Sequence, residues 1–409
     1  MKKNLFVLSL MAFMLISCAS NGNSDKTTAA AKVEEAEPQT WVEAESLNKA
    51  YAPYFDYIGF AVPFDLLNRT FIQEGLAHQA GCITPENEFK PDSLLGWGRP
   101  TNLIDFTASD GKTYKVPAEL AGTNNLKNYL NAALINGLKI RGHVLVWHSQ
   151  TQKWFFRENY DANANLVDKA TMRARQEWYI KSVLEFVKNW EDTAADGQRI
   201  IIAWDVVNEA MSDSGNPGDY LRNQGSDWYS IYQDDSFITD AFVFANKYAP
   251  KDLKLAYNDY GCYGQQKTAR IVKLIKKIQN TPGARIDILG MQSHISMNHP
   301  TASLYELALK QFLDLGVDVQ VTELDIGNGN SISTPKLLAD KYAQFFELFL
   351  KYRKTEGKNG ISGVTLWGIL DERSWISNNG AQAPLLFHED FRCKPAFYSV
   401  LETAQKWND

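Results

Sequence analysis

Two glutamates, Glu209 and Glu323, each follow a short apolar run rich in β-branched residues, at 200–209 and 317–323. Such runs predict β-strands, and a strand end holds a carboxylate rigidly where the chain leaves a sheet. Two carboxyl groups placed in this way suit the hydrolysis of a sugar acetal. One donates a proton to the leaving oxygen while the other, ionised, attacks or stabilises the anomeric carbon. This chemistry needs no metal and no cofactor, and we expect neither.

The sequence around Glu209 favours the role of general acid. It follows Trp204, Val206 and Val207, an apolar setting that disfavours the charged carboxylate and keeps a proton available. Glu323 is expected to be the ionised partner, because His294 on the preceding predicted strand could donate a hydrogen bond to it. The pair would then retain the anomeric configuration, with carboxyl groups about 5–5.5 Å apart. The alternative, that both are surface or ion-paired glutamates, fits poorly with two matching strand ends.

Polar residues at other strand ends suit sugar hydroxyls. Asn208 could donate to the 2-hydroxyl of the reacting sugar, or it could simply end a strand before a turn. Glu86, Asn87 and Lys90 follow the second apolar run and suit the next sugar, although an ordinary ion pair in a loop is a competing interpretation.

Three tryptophans offer flat apolar faces on which pyranose rings can stack. Trp147 ends the third run, and Trp367 and Trp375 follow the last one, where a lid would lie. Each alone is more often a core residue.

The elements that must position these groups alternate between strand and helix. Eight apolar runs predict strands, at 57–62, 82–87, 138–147, 200–209, 253–258, 288–294, 317–323 and 362–367. Between them, apolar residues at helical spacing occur at 66–79, 170–190, 268–279, 304–315 and 337–353. This alternation predicts an α/β protein with a single (β/α)8 TIM barrel over residues 41–409. A doubly wound sheet is the alternative, but it would gather ligand groups at one switch point.

Composition and missing motifs exclude several functions. The net charge of -6 comes from interspersed charges without a basic patch, so nucleic acid is not an expected partner. The sequence lacks the metalloprotease motif His-Glu-x-x-His, the hydrolase elbow Gly-x-Ser-x-Gly and Gly-rich phosphate loops. Cys82, Cys262 and Cys393 have no metal-binding spacing, and one disulfide among them is compatible with the sequence.

The N-terminal residues have the pattern of an export signal. Lys2 and Lys3 precede an apolar stretch at 5–16 that is too short to span a bilayer. The residues up to Cys18 resemble a bacterial lipobox, and a chance cysteine near an ordinary cleavage site is the alternative. We therefore predict a signal peptide at 1–17 and a lipidated flexible tether at 18–40. The protein is expected to be a monomer in the bacterial cell envelope, at the outer membrane or cell surface, touching the membrane only through the lipid on Cys18.

Seven motifs, in this order, resemble glycoside hydrolase family 10, the endo-β-1,4-xylanases. They are Glu86-Asn87-Glu88-Phe89-Lys90, Arg141-Gly142-His143-Val144-Leu145-Val146-Trp147-His148-Ser149-Gln150, Trp204-Asp205-Val206-Val207-Asn208-Glu209-Ala210, Tyr257-Asn258-Asp259-Tyr260, Gly290-Met291-Gln292-Ser293-His294, Val321-Thr322-Glu323-Leu324-Asp325 and Val364-Thr365-Leu366-Trp367-Gly368.

The resemblance implies a retaining (β/α)8 endo-xylanase acting on xylan and xylo-oligosaccharides, with Glu209 as acid/base and Glu323 as nucleophile. It also implies which residues line the glycone side: Glu86, Asn87, Lys90, His143, Trp147, Asn208, Gln292, His294, Trp367 and Trp375. Pro91 departs from the family, where many members carry tryptophan after the lysine. The segment 96–127 is longer than expected and could reshape the rim of the cleft.

Other functions remain open at this point. An exo-β-xylosidase or a β-1,4-glucanase of the same fold differs from an endo-xylanase only in small changes at the cleft. A non-catalytic, surface glycan-binding lipoprotein is a third possibility, but binding alone requires neither Glu209 nor Glu323.

Overall fold

The structure, a computed structural model, describes residues 39–329 and 331–407. Within these residues a parallel sheet closes into a barrel, because the last strand pairs with both the first strand and the one before it in the chain. The barrel strands are β1 (Tyr57–Val62), β2 (Cys82–Pro85), β3 (Lys139–Trp147), β4 (Ile201–Asn208), β5 (Lys254–Asp259), β6 (Ile288–Met291), β7 (Asp318–Gly327) and β8 (Ile361–Leu366).

Helices surround the barrel and fill the connections between its strands. The α-helices are Leu47–Tyr51, Phe64–Leu67, Thr70–Gln79, Pro91–Leu95, Thr123–Ile135, Lys169–Ala194, Asp227–Tyr232, Ser236–Tyr248, Gln265–Gln279, Ala302–Leu313, Pro335–Lys351 and Pro395–Lys406, and the 3₁₀ helices are Lys153–Phe156, Glu158–Tyr160 and Asp371–Arg373. Side chains of Asp168, Thr301 and Thr334 accept backbone hydrogen bonds at the starts of three long helices, which satisfies N–H groups that have no partner within the helix.

All eight predicted strands are present, so the predicted barrel is confirmed, but two of them differ from the prediction by more than two residues at one end. The run 288–294 does not form one strand: β6 ends at Met291, and a separate strand, His294–Ser296, pairs with the end of β7. β7 itself continues to Gly327, so Glu323 lies inside a strand and not at its end.

The helix predicted at 66–79 is two helices, Phe64–Leu67 and Thr70–Gln79. Arg69 has extended backbone torsions, φ -91° and ψ 123°, which a helix cannot include. The apolar spacing continued across this break because both helices bury apolar side chains in the same hydrophobic core.

A buried ion pair joins two neighbouring strands in the barrel interior. The guanidinium of Arg141 on β3 donates two hydrogen bonds to the carboxylate of Asp205 on β4, and both side chains are fully buried. The Nε of Arg141 also donates to Gln320 of β7 at 2.9 Å. Gly142 is required beside this pair, since a Cβ there would lie 2.4 Å from the ring of Trp204. Arg141 therefore links β4, which Glu209 follows, to β7, which carries Glu323.

The long segment at 96–127 contains an antiparallel hairpin, Leu103–Thr107 and Thr113–Pro117. Its turn packs on the outer helices, because the backbone N–H of Ser109 donates to Glu177 at 2.8 Å. The hairpin is thus part of the outer layer. The residues on either side of it, near Trp97 and Asn125, line a cavity beside the mouth of the barrel.

Cys82, Cys262 and Cys393 are buried free thiols, so no disulfide joins them. No helix in the described part of the chain has the length and apolarity needed to cross a bilayer. The predicted signal peptide, Cys18 and nearly all of the predicted tether lie outside the described residues.

Candidate active site

The two predicted catalytic glutamates lie at the same mouth of the barrel. Glu209 directly follows β4, Glu323 lies on β7, and both line one cavity of about 440 Å³. This is the end where the parallel strands finish, the position at which barrel enzymes gather their functional groups.

The backbone of Glu209 is held in an uncommon conformation. Its φ of 55° is in the left-handed region, which side chains other than glycine seldom adopt. Two contacts maintain it: its N–H donates to the carbonyl of Asn258 at 2.9 Å, and its own carbonyl accepts from Nε of Arg222 at 2.9 Å. The carboxyl group is thereby aimed into the cavity by the main chain.

The carboxyl group of Glu209 is disposed to hold a proton. Burial raises its pKa, and the charges of Asp259 and Glu323 add to this effect. Hydrogen bonds from Gln292 and Trp147, each 2.9 Å long, oppose the rise without cancelling it. These donors also fix the direction of the two carboxyl oxygens.

The carboxyl group of Glu323 has the opposite character. Burial alone would raise its pKa, but a hydrogen bond from His294, the charges of His143 and His294, and a hydrogen bond from Asn258 together lower the pKa to about 2. The contacts are 3.1 Å from Nε2 of His294 to Oε2 and 2.6 Å from Nδ2 of Asn258 to Oε1. The expected hydrogen bond from His294 is therefore present.

His294 bridges two carboxylates. Its Nδ1 lies 2.9 Å from Asp325 and its Nε2 lies 3.1 Å from Glu323. Burial would lower the pKa of His294, but the charge and hydrogen bond of Asp325, followed by those of Glu323, raise it to about 10. An imidazolium that donates from both nitrogens is thus the stable form, and it holds Glu323 ionised.

The polar cluster after β2 borders the same cavity. Nζ of Lys90 donates to Asn87 at 3.1 Å and to Gln150 at 2.9 Å, and it lies 5.1 Å from the ring centre of Trp147. Burial raises the pKa of Glu86 to about 7, with a further contribution from the charge of Glu88. The cluster is therefore an ordered part of the barrel mouth and not a simple ion pair in a loop.

Trp375 covers the mouth from the loop that follows β8. It is 65% exposed, yet its indole N–H donates to Asp325 at 2.8 Å and its ring lies 5.0 Å from that of His294. Trp367 packs edge-on against His143 with ring centres 5.4 Å apart. Both rings line the cavity, where stacking on a sugar was expected.

The structure brings every predicted site residue of the barrel to this one cavity. Its predicted members are Glu86, Asn87, Lys90, His143, Trp147, Asn208, Glu209, Gln292, His294, Glu323, Trp367 and Trp375. Three further lining residues, Tyr260, Gly261 and Tyr263, were not predicted as site residues. Tyr260 stood at a recognised strand end and could have been included, whereas Gly261 and Tyr263 lie in the following loop, where no spacing marks them.

A second set of charges holds the loop after Glu209. Asp213 accepts hydrogen bonds from Lys267, Arg222 and Tyr260, and Lys267 also pairs with the buried Asp259 at 2.9 Å. Sequence reasoning did not identify these contacts. They connect the loop after Glu209 to β5 and to the helix that follows β5.

Metal chemistry has no candidate ligands here. The described part of the chain contains no group of three or more His, Cys, Asp or Glu side chains placed to hold a metal ion. The arrangement offers instead one carboxyl group with a raised pKa and one with a lowered pKa, lined by aromatic and polar side chains.

Comparison with known proteins agrees with this chemistry. The sequence model of the family described as Glycosyl hydrolase family 10 matches residues 46–403. Endo-1,4-beta-xylanase Y of Acetivibrio thermocellus is 34% identical over 376 residues, which cover 89% of this chain and 33% of that protein. Endo-1,4-beta-xylanase B of Butyrivibrio fibrisolvens is 38% identical over 368 residues, covering 88% and 53%. The chain thus spans a third to about half the length of these relatives.

Solved structures are similar over most of the chain. The N-terminal modules of an endo-1,4-beta-D-xylanase from Clostridium thermocellum, complexed with xylohexaose, align with a TM-score of 0.76 and 33% identity, over 90% of this chain and 70% of that one. An intracellular xylanase from Thermoanaerobacterium saccharolyticum aligns with a TM-score of 0.71 and 31% identity, over 88% and 98%.

Proposed function

Because this chain belongs to glycosyl hydrolase family 10, we propose that it is an endo-1,4-β-xylanase that hydrolyses internal β-1,4-xylosidic bonds of xylan with retention of configuration. The observation that carries the proposal is the placement of two carboxyl groups with opposite pKa shifts in one cavity. The protonated Glu209 is the acid/base, and the ionised Glu323 is the nucleophile.

In the first step Glu323 attacks the anomeric carbon while Glu209 donates its proton to the glycosidic oxygen. The bond from the anomeric carbon to that oxygen breaks, a bond to the Glu323 carboxylate forms, and the shortened chain leaves as an alcohol. His294 and Asn258 hold the attacking carboxylate in position through their hydrogen bonds. Asn208 is assigned to the 2-hydroxyl of the reacting sugar.

In the second step Glu209, now ionised, removes a proton from water. The resulting hydroxide attacks the anomeric carbon and releases Glu323, which restores both residues to their starting states. Two inversions at the same carbon give net retention. The loss of the negative charge on Glu323 during the intermediate also lowers the pKa of Glu209, which suits it to act as a base at this stage.

Xylan and xylo-oligosaccharides are the proposed substrates, and relatives named as xylanases support this choice. One related structure is described as a complex with xylohexaose and another with xylotriose. The remaining mouth residues, with Glu86, Asn87 and Lys90 on one side and Trp367 and Trp375 above, are proposed to hold the glycone sugars.

The function is tested by following products from linear xylan. An endo-xylanase lowers viscosity before much reducing sugar appears, and proton NMR should show the β-anomer first. Release of xylose alone from chain ends would indicate an exo-xylosidase, and faster cleavage of a β-1,4-glucan would indicate a glucanase. Binding of xylan without cleavage would indicate a glycan-binding protein.

We infer that the protein is a monomer anchored to the bacterial cell envelope by a lipid on Cys18, with residues 1–17 removed and 18–40 forming a tether. The support is the lysine pair, the apolar stretch and the cysteine that follows it. The full chain should partition with membranes and release activity when Cys18→Ser is introduced. Soluble activity from the unaltered chain would contradict the anchor.

A further inference from the structure

A second cavity, of about 670 Å³, adjoins the catalytic one. Asn87 lines both cavities, and Gln150 in the wall of the second accepts a hydrogen bond from Lys90 in the wall of the first at 2.9 Å. A polymer that lies across the catalytic glutamates can therefore continue past Asn87 into this space. The cavity is called the β2-side cavity below.

The β2-side cavity extends the cleft in one direction only. β2 is separated from β5 by β3 and β4 in the barrel, and the loop after β5 carries Tyr260 and Tyr263. The cavity therefore lies on the side of Glu86, Asn87 and Lys90, away from the two tyrosines. Under the proposed function this is the glycone side, so the present inference rests on that function.

Trp97 is the most exposed tryptophan in the described chain, at 82%, and it stands in the wall of the β2-side cavity. Exposure of so large an apolar ring costs hydration free energy unless a ligand covers it. The face of an indole is a common stacking surface for the C–H groups of a sugar ring. Trp97 is therefore placed to cover one sugar unit.

Another part of the cavity wall is polar and closely packed. Asn125 donates to the hydroxyl of Ser93 at 2.7 Å, so these two groups present an amide and a hydroxyl side by side. Gly122 allows this approach, because a Cβ at that position would lie 2.2 Å from the carbonyl oxygen of Ser93. An aromatic face beside fixed polar groups matches the two sides of a sugar.

The charges of the wall limit what the cavity can accept. Glu88 and Asp92 contribute carboxylates, and among the described lining residues none is a lysine or arginine. A negatively charged glucuronate branch would be repelled there. A neutral pentose would not be.

We propose that the β2-side cavity binds a neutral pentose unit of the substrate, beyond the two glycone sugars nearest the cleaved bond, with Trp97 as its stacking surface. A third backbone xylose and an arabinose branch on the second xylose share this chemistry. The segment 96–127, which is longer than the family resemblance led us to expect, supplies most of the site.

The test compares two aryl substrates. The value of kcat/KM is measured for 4-nitrophenyl β-xylotrioside and for the xylobioside, which is too short to reach the cavity. Trp97→Ala should lower the ratio of the two values about fivefold, the usual worth of one aromatic contact, and leave the xylobioside value unchanged. Trp97→Phe should keep most of the ratio. The control Ile135→Ala truncates another apolar side chain, 80% exposed at the end of the outer helix Thr123–Ile135, and should change neither value.

An arabinose-substituted xylobioside distinguishes the two sources of the pentose. A fall confined to the linear trioside assigns the cavity to the backbone, and a fall confined to the branched substrate assigns it to the branch. If Trp97→Ala changes neither, the proposal is overturned. If the unaltered chain cleaves no xyloside, the proposed function fails instead. Calorimetry of xylotriose and xylobiose binding to the unaltered and Trp97→Ala proteins then tests the cavity: Trp97→Ala should weaken only the binding of xylotriose.

Discussion

Nε2 of His294 lies 3.1 Å from Oε2 of Glu323, so a partly buried cation is held against the carboxylate proposed as the nucleophile. The second ring nitrogen of His294 is occupied by Asp325 at 2.9 Å, which keeps the imidazole charged. The ionised state of the nucleophile thus depends on a residue that does not react.

We predict that His294→Gln raises the lower pH limit of activity. Loss of the cation removes an effect that lowers the pKa of Glu323 to about 2, so Glu323 becomes protonated at a higher pH. The acid limb of kcat/KM for an aryl xylobioside should move up by about one pH unit or more. His388→Gln, at an exposed histidine, is the control and should leave the limb in place. An unmoved acid limb in His294→Gln would show that His294 does not govern the charge of Glu323.

We predict that Glu323→Ala abolishes hydrolysis of an aryl xylobioside and that azide restores turnover. Azide fills the space of the missing carboxylate and attacks from the same face, so the xylosyl azide should have inverted configuration. The matched variant Glu209→Ala should give an azide of retained configuration, since its nucleophile is intact. Hydrolysis by Glu323→Ala at the parent rate would show that the nucleophile is wrongly assigned.

Much of the fold and site could be predicted because the relevant signals are local. Each barrel strand is a short apolar run, and most site residues lie near the carboxyl end of one, so the topology gathers them at one mouth. The hairpin at 103–117 was missed although Asp110 and Gly111 mark its turn. Its strands are largely exposed, so they lack the apolar run that marks a barrel strand. The helix Ser236–Tyr248 was also missed, despite apolar residues at helical spacing.

Other features depend on contacts between distant residues. Asp325 and Trp375 are joined by a hydrogen bond across 50 positions, and nothing near either residue indicates the other. The same holds for Arg222, which reaches the backbone of Glu209 from the far end of its loop. Sequence spacing identifies which residues reach the mouth, but not which of them support one another.

We predict that loss of one partner of the buried Arg141–Asp205 pair destabilises the protein more than loss of both partners. Asp205→Leu leaves a guanidinium without its partner in the barrel interior and should lower the free energy of unfolding by about 3–5 kcal/mol. The double variant Arg141→Met with Asp205→Leu removes both charges and should be more stable than Asp205→Leu alone. Denaturant unfolding of the three proteins checks the order. A double variant less stable than the single one would indicate that Arg141 contributes mainly through Gln320.

We predict that Arg222 positions the acid/base residue, so Arg222→Met should impair cleavage that needs a proton donor. Its Nε donates to the carbonyl of Glu209, whose φ of 55° is otherwise unfavourable, and loss of this contact should let the carboxyl group move away from the glycosidic oxygen. The value of kcat/KM for xylohexaose should fall about tenfold or more, because general acid catalysis is lost in part. The same value for 2,4-dinitrophenyl xylobioside should change little, since that leaving group needs no proton.

Two further variants serve as controls. Arg222→Lys should keep part of the activity that Arg222→Met loses. Arg392→Met, at a distant arginine paired with Asp390, should leave both values unchanged. Equal losses on both substrates would mean that Arg222 supports the fold of the mouth and not the placement of the proton.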